Sequence, residues 1–318
     1  MNIKRNKVAI IGAGNVGVTT AYSILTQGLC EEILLIDINE EKAYGEVLDL
    51  QHSISFMNRN VKVAAGKYSD CEDADIVIIT ASAPMSKSDN DRLLMLEKSM
   101  TIIKSIVENV MNSGFNGIFL VVSNPVDIMT YYTWKISGLP SSQVIGSGTT
   151  LDSARLRYYI GKKIGVDQRS INAYVMGEHG DSEFVSWSTA TVGGKSIESI
   201  VKDNADRIGE NPYDELKLET QRSGWEILSR KGNTSYGIGS ATARIVKTIL
   251  WDENHIYPVS VHLDGEYGVD DVYISVPAII NRTGIREIVE LNLNEKEREQ
   301  FNKSVAILKS NYSKLKLQ

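Results

Sequence analysis

A chain of 318 residues, 42% hydrophobic and 23% charged, is long enough for two domains with cores of their own. Its formal net charge of −6, with no dense basic run, argues against a nucleic-acid partner held by general electrostatics. The two cysteines, Cys30 and Cys71, form no CxxC pair, so no metal site is expected and nothing suggests a secreted disulfide framework.

The basic start at residues 1–7 leads into an apolar run at 8–11 that breaks at Gly12. That run is too short for a signal peptide or a membrane span, so a cytoplasmic protein with no membrane partner is expected. Residues 8–11 read as a buried strand, 17–27 as a helix, and 33–36 as a second strand ending at Asp37. Strands at 61–65, 74–80, 118–122 and 144–145 continue the series, with helical patterns between several of them, the longest at 92–111. Strands alternating with helices predict a Rossmann-type doubly wound parallel sheet, an α/β fold, over residues 1–148. The remainder, 149–318, reads as an α+β substrate and catalytic domain. It has helices at 151–161, 212–231, 235–251 and 294–315 and strands at 171–175, 184–191, 257–263 and 272–276.

Gly12-Ala13-Gly14-Asn15-Val16-Gly17 fits G-x-G-x-x-G directly after the first strand and at the start of the first helix. Glycines let the backbone turn tightly and approach a pyrophosphate, which the helix N-terminus then stabilises. Asp37, at the end of the second strand, would accept from a ribose 2′-hydroxyl and repel a 2′-phosphate, favouring NAD over NADP.

The segment Gly177-Glu178-His179-Gly180-Asp181-Ser182 places one imidazole between two glycines with acids close by. An unperturbed imidazole titrates near pH 6.5 and can exchange a proton at neutral pH, roughly. Arg92 opens the long helix after a polar loop, and Asn124 stands where a strand passes into a helix. Both fall at the mouth expected beyond the carboxyl ends of the strands. Asp152 and Arg155 lie at the start of another helix, and Thr234 follows Lys231-Gly232-Asn233. Taken singly, Asp152 and Asn124 would serve equally as helix N-caps, and the arginines as solvated charges.

With these residues in place, the chain resembles the L-lactate/L-malate dehydrogenase family, on the lactate dehydrogenase side, and is also similar to the L-2-hydroxyisocaproate dehydrogenases. The resemblance runs over essentially the whole chain. It is carried by the glycine fingerprint, SNPVD at 123–127, GSGTTLDSARLR at 146–157 and GEHGDSEFVSWS at 177–188. It implies a reversible hydride transfer between NAD and a small 2-hydroxy acid, lactate first and longer aliphatic acids second. A malate dehydrogenase or an inactive NAD-binding protein ranks behind both.

The resemblance assigns roles. His179 is the general acid/base, Asp152 holds its imidazole, Arg155 grips the substrate carboxylate, and Arg92 polarises the carbonyl after its loop closes. Asn124 bonds the substrate oxygen and Thr234 lines the pocket. NAD contacts are implied at Gly12, Gly14, Val16, Gly17, Asp37, Lys42, Tyr68, Ser82, Ala83, Ser123, Asn124 and Ser147. The loop at 85–91 has no Arg for a second carboxylate and carries Asp89 and Asp91, which disfavours oxaloacetate, although Lys87, two residues before Asp89, offers one cation. The loop is one residue longer than usual, so Met85 or Ser86 would meet the substrate side chain. A homotetramer is expected. Arg157 matches the family's site for fructose 1,6-bisphosphate, but Asn172 stands where a His is usual and carries no charge for a phosphate. Activation by that ligand is therefore expected to be weak or absent.

Overall fold

The computed structural model describes residues 5–82 and 92–313, the backbone alone for 92–95. The first half alternates strand and helix: β1 (Lys7–Ile11), α1 (Asn15–Gln27), β2 (Glu32–Ile36), α2 (Glu40–Ser53), β3 (Lys62–Ala65), β4 (Ile76–Ile79), α3 (Arg92–Asn112), β5 (Ile118–Val121), α4 (Val126–Ser137) and β6 (Val144–Gly146). The six strands lie in the order β3-β2-β1-β4-β5-β6. Every register given within this set is parallel. This is the doubly wound order, with a switch between β1 and β4. The sequence accounts for it: Val8–Ile11, Ile76–Ile79 and Ile118–Val121 are buried throughout, as strands covered on both faces must be.

The second half is built from α5 (Thr150–Ile164), β7 (Ile171–Asn172), β8 (Val175–Met176), β9 (Phe184–Val185), β10 (Thr191–Val192), β11 (Lys195–Ser196), α6 (Ile197–Asp203), α7 (Ala205–Ile208), α8 (Tyr213–Lys231), α9 (Tyr236–Leu250), β12 (His255–Asp264), β13 (Asp270–Asn281), β14 (Gly284–Ile288) and α10 (Glu295–Tyr312). The contacts divide the chain into two compact units. The first takes residues 1–147, 235–255 and 279–287, and the second takes 148–234, 256–278 and 288–318. The chain thus returns twice to the first unit after leaving it at Ser147, once as α9, whose Gly239 packs on Thr19 of α1. The second unit has its own core, in which Leu156, Ile160 and Ile164 of α5 meet Val175, Val185, Val192 and Val201.

Two sequence readings fail here. The single strand expected at 171–175 is broken into β7 and β8, and that expected at 184–191 into β9, a 3-10 turn at Trp187–Thr189 and β10. In the second stretch the break coincides with side-chain bonding. The Ser188 backbone N–H and hydroxyl both donate to the Glu297 carboxylate, at 2.9 and 2.5 Å, and Thr189 Oγ1 donates to Ser186 O, which turns the chain out of the ladder. Instead, β7, β10 and β11 form one small antiparallel sheet and β8 and β9 another. Cys30 and Cys71 are buried free thiols, each pushed up to about 12 by burial. Among the described residues no helix is long and apolar enough to cross a membrane.

Candidate active site

In the first unit, parallel pairing brings the carboxyl ends of β1, β2, β4, β5 and β6 to one edge. Gly12, Asp37, Ser82, Asn124 and Ser147 therefore all follow strand ends on that edge. Gly12 sits at φ +109°, a conformation costly for any side chain, and its N–H donates to Ile36 O at 2.8 Å. A Cβ on Gly17 would lie 1.9 Å from Gly12 O, so only glycine lets α1 start this close to the turn. Gly14 is different: a Cβ there would meet nothing within 4 Å. The open space lies at the N-terminus of α1, where a phosphate is favoured by the helix dipole.

Asp37 is fixed by two backbone donors. Ala13 N–H reaches Oδ2 at 2.6 Å and Asn39 N–H reaches Oδ1 at 2.9 Å. A carboxylate has about four acceptor positions, so capacity remains for a diol. A cavity of about 430 Å³ runs past these residues, lined by Gly12, Gly14, Asp37, Lys42, Tyr68 and Ser82. Ile38, Ile102 and Ile106 give the same cavity an apolar side, which sequence reading missed. The signal was present in Ile38, an exposed apolar residue beside the conspicuous acid. Backbone donors, an acid fixed by its neighbours and an apolar slot fit a dinucleotide. A larger cavity of about 780 Å³ opens at the opposite strand ends, lined by Glu72, Asp73, Asp75, Gly117, Gln143 and Arg282, where acids outnumber the arginine that pairs with Asp75.

The remaining expected cofactor residues are more varied. Ser123 is buried and its hydroxyl donates to the Ala81 and Ile79 carbonyls, so it braces the ends of β4 and β5. Ser147 is buried and donates its backbone N–H to Val121 O at 2.8 Å. Val16 lies in the first turn of α1. Asn124 is exposed and does not cap α4, whose N-cap is Pro125. Ala83, Met85, Ser86 and the rest of the 85–91 loop lie outside the described residues, as does the side chain of Arg92.

The second unit brings together Asp152, Arg155 and His179. Thr149, not Asp152, is the N-cap of α5, so Asp152 stands inside the first turn with its side chain buried. An acid is favoured there by the helix dipole, and Arg155 follows at the i+3 spacing that puts both on one face. Its Nη1 donates to Asp152 Oδ1 at 2.8 Å. The other oxygen, Oδ2, lies 2.7 Å from His179 Nδ1.

The loop carrying His179 is fixed from several sides. Ser153 Oγ accepts from Val175 N–H at 2.8 Å and Thr149 Oγ1 donates to Val175 O at 2.6 Å, tying β8 to the start of α5. Gly177 takes φ +95° and exchanges two backbone bonds with Ser275 of β13. Ser304 of α10 donates to Ser182 O at 2.8 Å. Burial works to raise the Asp152 pKa, but His179 and then Arg155 outweigh it and hold the carboxyl below its ordinary range. A buried acid so ionised favours the protonated imidazole beside it.

A fourth residue escaped the sequence reading. Glu183, just before β9, is 6% exposed and stands within 4.8 Å of both Asp152 and His179, measured between donor atoms. Burial, and after it the Asp152 charge, pushes its carboxyl up to about 8. Both Asp152 oxygens are already engaged by His179 and Arg155, so a metal ion in this cluster would have to displace them. Thr234 lies in the connection between α8 and α9. Arg157 is partly buried on α5, where burial lowers its pKa and Tyr174 and Tyr257 are its electrostatic neighbours, while Asn172 is exposed on β7.

A sheet in this order, with a glycine turn after β1 and an acid after β2, defines a dinucleotide-binding α/β protein. Residues 6–146 match the lactate/malate dehydrogenase NAD-binding domain, and residues 149–317 match the alpha/beta C-terminal domain of the same family. The chain belongs to the lactate/malate dehydrogenase family. It is 55% identical over 303 residues to L-lactate dehydrogenase 3 of Bacillus thuringiensis subsp. konkukian, covering 95% of this chain and 96% of that one. The structure is similar to that of the minor L-lactate dehydrogenase from Enterococcus mundtii in its ligands-bound form, with a TM-score of 0.96 and 45% identity, covering 99% of this chain and 100% of that one. It is also similar to MGS-M5, a lactate dehydrogenase enzyme from a Medee basin deep-sea metagenome library, with a TM-score of 0.95 and 47% identity, covering 98% of this chain and 99% of that one.

Proposed function

We propose that this protein is an NAD-dependent L-lactate dehydrogenase that interconverts L-lactate and pyruvate, working in the cytoplasm as a homotetramer. The observation that carries the reading is the 2.7 Å contact between His179 Nδ1 and buried Asp152. It fixes the ring through one nitrogen and makes Nε2 the atom that exchanges the proton. Gly12, Gly14, Gly17, Asp37, Lys42, Tyr68 and Ser82 would hold NAD, which when bound supplies the hydride acceptor. As the C2 hydride leaves lactate, His179 Nε2 takes the hydroxyl proton, and in reduction returns it to the carbonyl oxygen. Asp152 stabilises the charge that this places on the ring. Arg155 grips the substrate carboxylate with the part of its guanidinium that Asp152 does not hold, which a planar fork suits better than an ammonium. Arg92 would polarise the carbonyl, Asn124 bond its oxygen and Thr234 line the pocket, with Met85 or Ser86 against the side chain of the acid.

NADH absorbance with a panel of 2-keto acids tests this. Pyruvate should be consumed with a higher kcat/KM than 2-ketoisocaproate, and the reverse order would move the assignment to longer aliphatic acids. His179→Asn should lower kcat by a factor on the order of 10³ while NADH still binds. Undiminished turnover in that variant would remove the acid/base role. Light scattering of the purified protein gives the assembly, for which four chains are expected.

A further inference from the structure

Glu183 has no part in the chemistry above, yet it is the only buried carboxyl, among the described residues, gathered with Asp152 and His179. It is held there by the backbone: its N–H donates to Gly180 O at 3.2 Å, closing the turn that presents His179, and the next residue enters β9. Glu183 lines a small cavity together with Val175, Phe184 and Val185 and with Lys217 and Thr220 of α8. The charged groups that act on it are thus Asp152 and Arg155 from α5, His179 from its own loop, and Lys217 from α8. Two carboxylates this close and this buried resist joint ionisation. Asp152 is held ionised by direct bonds to His179 and Arg155, so the proton resides on Glu183.

We propose that Glu183 is a positioning residue that exchanges its own proton beside His179 and thereby sets the alkaline limit of keto acid reduction. At neutral pH it is uncharged and leaves the Asp152–His179 pair alone. As pH rises it ionises, and the new negative charge within 4.8 Å holds the proton on His179 to higher pH than Asp152 alone would. The two groups titrate as a coupled pair. Reduction needs His179 protonated, so the alkaline limb extends. This inference rests on the acid/base reading of His179.

The test is the pH profile of kcat/KM for pyruvate, with saturating NADH, between about pH 6 and 10. In Glu183→Gln the limb should move to lower pH by roughly one unit, because an amide never supplies the charge, while the acid-side plateau changes by less than about twofold. Lys217, half-buried on α8, favours the ionised form of Glu183. Lys217→Met should therefore shift the limb the same way by a smaller amount, and should shift nothing in the Glu183→Gln background. A limb unmoved in either single variant overturns the proposal. So does an equal Lys217→Met shift in both backgrounds, or a loss of kcat uniform with pH, which marks a structural role only. A wild-type protein that reduces no 2-keto acid would instead sink the lactate dehydrogenase reading, and this inference with it.

Discussion

His179 Nδ1 faces a carboxylate whose second oxygen is held by Arg155, so one buried acid organises both the proposed proton carrier and the cation proposed to grip the substrate. The arrangement makes each partner's geometry depend on the other. Replacing Arg155 by Lys keeps the charge, but an ammonium cannot serve Asp152 and a carboxylate together with fork geometry. Loss of one charge-assisted bond is worth about 1.5–3 kcal/mol. Arg155→Lys should therefore raise the KM for pyruvate by roughly ten- to hundredfold with a smaller change in kcat. Steady-state kinetics would check this, and an unchanged KM would place the substrate carboxylate elsewhere. The lowered Asp152 pKa carries a sign of its own. The stability it lends is fully present above the ordinary carboxylate value of about 3.9 and is lost as pH falls through its folded value.

Among the elements, α1 shows two glycines doing different things within four residues. At Gly17 a Cβ would strike Gly12 O at 1.9 Å, backbone that cannot yield cheaply. At Gly14 it would enter open space. Gly17→Ala should therefore destabilise the fold by about 1–3 kcal/mol, seen in urea unfolding. Gly14→Ala should unfold like the parent yet bind NADH at least about tenfold more weakly, by fluorescence titration. If both variants lost only stability, Gly14 would not border the nucleotide. The fingerprint was legible because its glycines and Asp37 sit in one local unit, and β1, β2, β4 and β5 because continuous apolar runs mark burial on both faces. The strands at 171–192 were not, since they are two residues long, and β9 and β10 are separated where Ser188 reaches Glu297, 109 positions away. Glu183 was hidden for a related reason. As a sequence letter it is one more acid near His179, and only the closure of α5, α8 and the 177–183 loop over it makes it buried.

At the scale of the whole molecule, Glu183 couples the candidate site to stability in the opposite sense from Asp152. Its carboxyl is pushed up to about 8 in the fold, against an ordinary 4.5. Between those values the native chain holds a proton that the unfolded chain has released. Stability must then fall as pH rises through that window, by up to about 1.4 kcal/mol per pH unit from this one group. Below it both states are protonated, and above it both are ionised, so the slope from Glu183 vanishes at either end. Glu183→Gln removes the titration and keeps the shape. Urea unfolding of the two proteins should give midpoints whose difference grows in the variant's favour from about pH 5 to 8 and then levels off. A difference constant with pH would mean that Glu183 is ionised in the native state. This measurement needs no substrate. It therefore separates the state of the buried proton from any use the chain makes of it, and a rising difference would mark Glu183 as a group kept at a cost to the fold.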